Sequence, residues 1–138
     1  MKATKIVSFC ASHRLSNYAG NCRRCHGHNF KIEATIESAN LTDVGFVIDF
    51  GELKTELKKI TDMFDHKMIL KTEDLQNQKI ATVVPEDWIT WVDFNPTAEN
   101  LAQYIADTLK ENIVCDKIYI KFWETDTSFA EYSLNCKD

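Results

Sequence analysis

Four histidines and five cysteines are the side chains of this sequence with the most chemistry in them, and three of the histidines share an unusual placement. In Cys22-Arg23-Arg24-Cys25-His26-Gly27-His28, two histidines stand at i and i+2. In an extended strand that spacing points both side chains the same way. Phe30, Ile32, Ala34 and Ile36 continue the parity, so the shared side is the apolar one. His13 ends an earlier run in which Val7, Phe9, Ala11 and His13 share a face. Three imidazoles on one inward surface suit a divalent ion. Neutral imidazole nitrogen ligates zinc well, and three such ligands with one open position is the pattern of catalytic zinc. Gly27 offers no side chain to obstruct the ion. The alternatives are a set of hydrogen-bonded core histidines, or a structural knuckle or redox pair built on Cys22-x-x-Cys25. Cys25, adjacent to His26 in a continuous strand, would point away from it; Cys22 falls in a loop; and a knuckle would leave His13 unused.

Two more places carry ionisable groups with a reason to act. Asp65-His66 sets a carboxylate beside an imidazole, a pair that fixes the tautomer and stabilises the cation. The competing reading is a histidine favoured by a helix C-terminus. Glu124, in Trp123-Glu124-Thr125-Asp126, continues the parity of Ile118, Ile120 and Phe122. A carboxylate there is either paired, waiting for a ligand, or a strand-end charge in solvent.

Positioning these groups requires strands at both ends of the chain. Lys5 to His13 alternates, and so does His26 to Ile36, with Asn29, Lys31, Glu33 and Thr35 on the polar side. The polar stretch Arg14 to Arg24 reads as a loop, and Gly45 to Asp49 as a short extended piece. Leu53, Leu57, Ile60 and Phe64 recur at helical spacing, with a start at Asp49 or Gly51. A second helix starts near Thr97, an N-cap residue type, with Glu99 in its first turn and Leu101, Ile105 and Leu109 as its stripe. Between them, Lys67 to Asn95 gives only one short strand signal around Trp88 to Phe94, after Pro85. Ile118 to Glu124 and Phe129 to Leu134 read as two final strands. The order predicts an α+β domain over residues 1–138: a four-stranded antiparallel sheet with two helices on one face.

The composition excludes several classes of function. Lysine plus arginine is 16 against 21 acidic residues, a net charge of −5, which does not suit a general nucleic-acid binder. No apolar run approaches the ~20 residues of a membrane span, and the first residues resemble neither a signal nor a transit peptide. The expectation is a cytoplasmic protein with no membrane or nucleic-acid partner and with its five cysteines as free thiols.

The motifs together resemble the 6-pyruvoyl-tetrahydropterin synthase family. The matching elements are Phe9 to Leu15, the Cys-x-x-x-His-Gly-His of Cys22 to His28, Gly45 to Leu53 with Ile48-Asp49-Phe50, Phe64-Asp65-His66, Pro96 to Asn100, and Trp123-Glu124-Thr125. They span nearly the whole chain in family order. The three residues between Cys22 and His26 make it more similar to the bacterial carboxy-forming branch, 6-carboxy-tetrahydropterin synthase of queuosine biosynthesis. The segment from Lys71 to Phe94 is longer than the family pattern.

The resemblance implies a tunnelling fold in which three subunits close a barrel and two rings stack as a homohexamer, with active sites between subunits. It also implies zinc on His13, His26 and His28, and Cys22 as a thiolate base, its pKa lowered by zinc and by Arg23 or Arg24. Asp65 and His66 would be a proton relay and Glu124 the anchor of the pterin ring. Thr97 and Glu99 would touch the pterin, although their places at the helix start account for them equally. The implied reaction takes 7,8-dihydroneopterin triphosphate to 6-carboxy-tetrahydropterin, releasing acetaldehyde and triphosphate. A 6-pyruvoyl product, and a non-catalytic zinc-binding module, are the alternatives.

Overall fold

A computed structural model describes residues 1–137. Among them, six strands form one sheet in the order β4-β3-β1-β2-β5-β6. The strands are β1 (Lys2–His13), β2 (His26–Glu37), β3 (Met68–Lys71), β4 (Ile89–Val92), β5 (Lys117–Thr125) and β6 (Ser128–Asn135). Three α-helices accompany them: α1 (Phe50–Phe64), α2 (Leu75–Ala81) and α3 (Ala98–Lys110).

The four alternating runs of the sequence are β1, β2, β5 and β6, and they pair antiparallel. The expected four-stranded sheet with two helices is nevertheless too small. Lys67 to Asn95 adds β3 and β4, parallel to β1 and to each other, with α2 as the crossover. Strands of four residues complete barely two alternations, and α2 has no apolar stripe: its one buried residue is Asn77. Asn77 holds the helix by polar bonds instead, donating to the Lys71 carbonyl at 2.9 Å and accepting from Arg14 at 2.7 Å. Gly45 to Asp49 is not extended either. Thr42 and Phe46 close a turn there (2.8 Å), with Gly45 at φ +91°, a region that favours glycine. That turn delivers Asp49 as the N-cap of α1, its carboxylate accepting from the Gly51 amide at 2.6 Å.

Helices α1 and α3 lie on one face of the sheet. Leu53, Leu57, Ile60 and Phe64 of α1, with Leu101, Ile105 and Leu109 of α3, bury against the inward residues of β1, β2 and β5. Phe30 is at the centre, fully buried, with ring centroids 5.3 Å from Phe9 and 5.1 Å from Phe122. Its other neighbours are His13 at 5.5 Å and His28 at 5.3 Å. The hydrophobic core therefore runs without a break into the histidine cluster.

The expectation of five free thiols is also corrected. Cys115 and Cys136 are joined as a disulfide, and Cys10, Cys22 and Cys25 are free. The register of β5 and β6 explains the pairing: Lys117 faces Asn135, and the Cys136 amide donates to the Asp116 carbonyl at 2.9 Å, which brings the two Cα atoms to 5.9 Å.

Phe30→Ala should destabilise the chain by about 3–5 kcal/mol, the usual range for truncating a buried aromatic. The expected readout is a lower urea midpoint with an unchanged slope. A loss below about 1 kcal/mol would contradict the central place given to this ring.

Candidate active site

Each of the three histidines is aimed by its strand and held by something outside it. The register pairs His13 with His26 and Ala11 with His28 at the ends of β1 and β2. The His13 Nδ1 donates to the Pro96 carbonyl at 2.8 Å, and the His26 Nδ1 donates to the Arg24 carbonyl at 2.7 Å. A carbonyl only accepts, so both Nδ1 atoms carry a proton, and in the neutral rings both Nε2 atoms present a bare lone pair. Those two lone pairs face each other at 3.1 Å. Two acceptors at that distance repel unless a cation lies between them. Nitrogens sharing a tetrahedral zinc at the usual bond length are about 3.3 Å apart. The His28 Nε2 is buried and has no hydrogen-bond partner. One ligand atom from each ring lies within 4.8 Å of the others. An orphaned buried nitrogen, two fixed tautomers and an all-nitrogen donor set fit a zinc ion.

Protonation would defeat that arrangement, and burial opposes it. Desolvation pushes His13 and His28 below the ordinary histidine range, outweighing the nearby Glu124 carboxylate and, for His13, the Pro96 carbonyl. Glu124 stands 3.9 Å from His13 Nε2 and 3.7 Å from His28 Nε2. A break in the β5–β6 register between Trp123 and Thr125 turns it there, as an irregular strand commonly re-aims a functional side chain. Glu124 also lines a cavity of about 250 Å³ with Leu15, Thr97, Glu99 and Phe129. Thr97, Glu99 and Glu124 thus line one space beside the histidines. Thr97 is at once the N-cap of α3, accepting from the Asn100 amide at 3.2 Å.

The other predicted residues fall elsewhere. Asp65 caps the end of α1, and His66 follows in the left-handed region at φ 59°, which costs a non-glycine residue roughly 1–2 kcal/mol. The His66 Nδ1 is 3.0 Å from Asp65 Oδ2, while Asp65 Oδ1 accepts from the Cys10 amide at 3.1 Å. Desolvation would raise the Asp65 carboxyl, but the hydrogen bonds from His66 and Cys10 prevail and hold it below its ordinary value. Cys10 was not expected here. Its Sγ lies 3.8 and 3.6 Å from Nδ1 and Nε2 of His66, against the ring rather than in line with either nitrogen. Cys10 and His13 have opposite parity on β1, so this cluster is on the sheet face away from the histidine trio. Cys22 is half-buried in a 3-10 turn, Asn21–Arg23, where its carbonyl accepts from the Leu15 amide at 2.8 Å. Among the described residues, neither Cys22 nor Cys25 joins the histidines within ligand distance, so the knuckle has no support. Gly27 clears room for something other than the ion: a Cβ there would meet the Ala11 carbonyl at 3.3 Å.

A family model described as 6-pyruvoyl tetrahydropterin synthase matches residues 2–135. The chain belongs to the 6-pyruvoyl tetrahydropterin synthase family. It is 35% identical to a Rickettsia typhi protein named 6-carboxy-5,6,7,8-tetrahydropterin synthase, over 95% of this chain and 99% of the relative. A Haemophilus influenzae protein of the same name is 36% identical, over 95% and 97%. In fold the chain is similar to the Plasmodium falciparum 6-pyruvoyl tetrahydropterin synthase, with a TM-score of 0.77 at 24% identity, covering 97% of this chain and 98% of that one. No described helix is long and apolar enough to cross a membrane.

Metal analysis of the purified chain should find one zinc per subunit. His26→Ala should lose it, while Cys25→Ser should keep it; a His26→Ala chain with full zinc would remove the assignment. The metal-free chain should also be pH-sensitive. Unfolding returns His13 and His28 to about 6.5, so the unfolded state binds more protons as the pH falls through that value. Stability held above it is then lost below it. The urea midpoint after chelation should fall from about pH 7 to pH 5, and less steeply in His13→Asn. A midpoint that did not change over this range would contradict neutral buried histidines.

Proposed function

We propose that the chain is a zinc-dependent 6-carboxy-5,6,7,8-tetrahydropterin synthase, a cytoplasmic lyase of queuosine biosynthesis. It converts 7,8-dihydroneopterin triphosphate to 6-carboxy-tetrahydropterin, with loss of acetaldehyde and triphosphate. The observation that carries the reading is the convergence of one ring nitrogen from each of three histidines beside a cavity lined by Thr97, Glu99 and Glu124. The names of the relatives support the carboxy-forming product, as does the three-residue spacing from Cys22 to His26.

His13, His26 and His28 would hold zinc, which as a Lewis acid favours loss of a proton from carbon next to a developing carbonyl. Glu124 accepts hydrogen bonds from the pterin 2-amino group and ring N–H, a planar donor pair that a carboxylate matches. Thr97 and Glu99 bound the same cavity and fix the ring's orientation. Cys22, as a thiolate, takes the side-chain proton. His66 exchanges that proton at its Nε2, with Asp65 fixing the tautomer through Nδ1.

These parts require more than one copy of the chain. The Asp65–His66 pair and the trio occupy opposite faces of β1, so the pair of one subunit serves the zinc of a neighbour. The homohexamer of two stacked trimers meets that need. It also covers the sheet edges at β4 and β6, which would otherwise stay open to unwanted pairing.

Product analysis with dihydroneopterin triphosphate tests the reaction. Acetaldehyde and a 6-carboxy pterin are expected. A 6-pyruvoyl product would move the chain to the other branch, and no product with full zinc would favour a binding module. Cys22→Ala should keep zinc and pterin binding while turnover falls by roughly 10²–10⁴, and His66→Ala should also be weak. Refolding the two variants together should restore activity at interfaces that receive both intact residues. If the mixture stays as inactive as its parts, the shared site is wrong.

A further inference from the structure

A cavity that the catalytic reading leaves unused is lined by Arg14, Arg23, Arg24, Cys25, Gln76 and Ile80, with a volume of about 490 Å³. It borders the metal ligands through the chain itself. Arg14 follows His13 directly, and Arg24, two residues before His26, supplies the carbonyl that holds the His26 ring. Three of its six lining residues carry guanidinium groups and none carries a carboxylate.

The three arginines are not equivalent. Arg14 is spent on structure. Its Nε donates to the Arg23 carbonyl at 2.9 Å, and its Nη1 donates to Asp74 at 2.9 Å and Asn77 at 2.7 Å, so Asp74 balances its charge. Arg23 donates to the Ala19 and Gly20 carbonyls, at 2.8 and 3.2 Å. Neutral carbonyls orient that guanidinium without cancelling it. Both Arg23 and Arg24 are exposed. Among the described residues neither has a carboxylate partner, so a chain of net charge −5 presents two cations at one cavity, a local reversal of sign that attracts anions.

We propose that this cavity binds the triphosphate tail of the substrate, with Arg24 and Arg23 as its anchors and Gln76 as a neutral donor. The proposal rests on the pterin-triphosphate reading above. The reacting side-chain carbons must lie at the histidines, and the phosphates follow directly from that side chain. The Arg24 carbonyl is bonded to the His26 ring, which sets this cavity beside the histidines and in reach of such a tail. Guanidinium groups suit it because each presents paired N–H donors to two phosphate oxygens.

Steady-state kinetics with dihydroneopterin triphosphate test this, alongside calorimetric binding of inorganic tripolyphosphate and of phosphate-free dihydroneopterin. The variants are Arg24→Gln, Arg24→Lys and the double change R23Q/R24Q, each with its zinc content measured. Arg24→Gln should raise KM roughly 10- to 100-fold, the usual effect of losing a charge-assisted hydrogen bond. Arg24→Lys should recover part of the loss. Tripolyphosphate should bind R23Q/R24Q weakly, while phosphate-free dihydroneopterin binds it as it does the parent. Unchanged tripolyphosphate affinity in the double variant would overturn the proposal. Equal loss of phosphate-free pterin, or loss of zinc, would overturn it too, because the arginines would then be supporting the fold of the site. If the parent chain makes no pterin product yet binds tripolyphosphate through these arginines, the catalytic reading fails and the anion site stands.

Discussion

Two backbone carbonyls govern the site. By accepting from Nδ1 of His13 and His26, Pro96 and Arg24 decide where each imidazole keeps its proton, and so make two Nε2 lone pairs meet at 3.1 Å. In the metal-free chain that meeting is unfavourable, and folding must hold it in place. Outer groups that fix the tautomer and angle of a ligating histidine commonly contribute as much to a metal site as the ligands do. Here both come from loops, so the loops need support of their own. Asn95 gives it on one side, its side chain exchanging hydrogen bonds with the Ser16 backbone at 2.8 and 3.0 Å, while Asn100 donates to the Asn95 carbonyl at 2.9 Å. The Pro96-to-Asn100 motif is therefore also a clamp that presents one carbonyl to His13.

The core supplies the rest of the rigidity. Phe30 touches His13 and His28 on one side and Phe9 and Phe122 on the other. Burial against this aromatic floor lowers the pKa of His13 and His28. The same burial that keeps them neutral leaves the His28 Nε2 without a partner. Such an unsatisfied nitrogen costs about 1–3 kcal/mol unless a ligand takes it. Stability and metal affinity are in this sense two sides of one arrangement.

Strand parity made the trio legible in the sequence. Whatever repeats with period two over six or more residues, as β1, β2 and β5 do, declares which side is inward, and the histidines lie on that side. Thr97 and Asp49 were legible as caps because a capping oxygen needs only the local chain. What stayed hidden depends on partners far away in sequence. β3 is four residues long and becomes a strand by pairing with β1 and with β4, the one short strand that Trp88 to Phe94 did announce. α2 is held by Arg14, some sixty positions earlier, so no periodicity announces it. The Cys115–Cys136 bond follows from the β5–β6 register, which the spacing of the cysteines does not reveal. Cys10 reads as an outward strand residue, and only the fold brings His66 against it.

The separation of the Asp65–His66 pair from the trio is best understood through β1. Phe9, Ala11 and His13 face the core, and Cys10 and Ser12 face the other way, so a group bound to the Cys10 side cannot reach the histidines without crossing the sheet. The attachment is not loose: the Cys10 amide donates to Asp65 and the Cys10 carbonyl accepts the His66 amide at 2.7 Å. The strained left-handed backbone at His66 is held by these same bonds. Under the proposed function, with Asp65–His66 as the relay and zinc on the trio, that separation would make little chemical sense in one chain alone. The proposed homohexamer would turn that face toward another subunit and so would have to bring one subunit's imidazole beside the next subunit's Cys22.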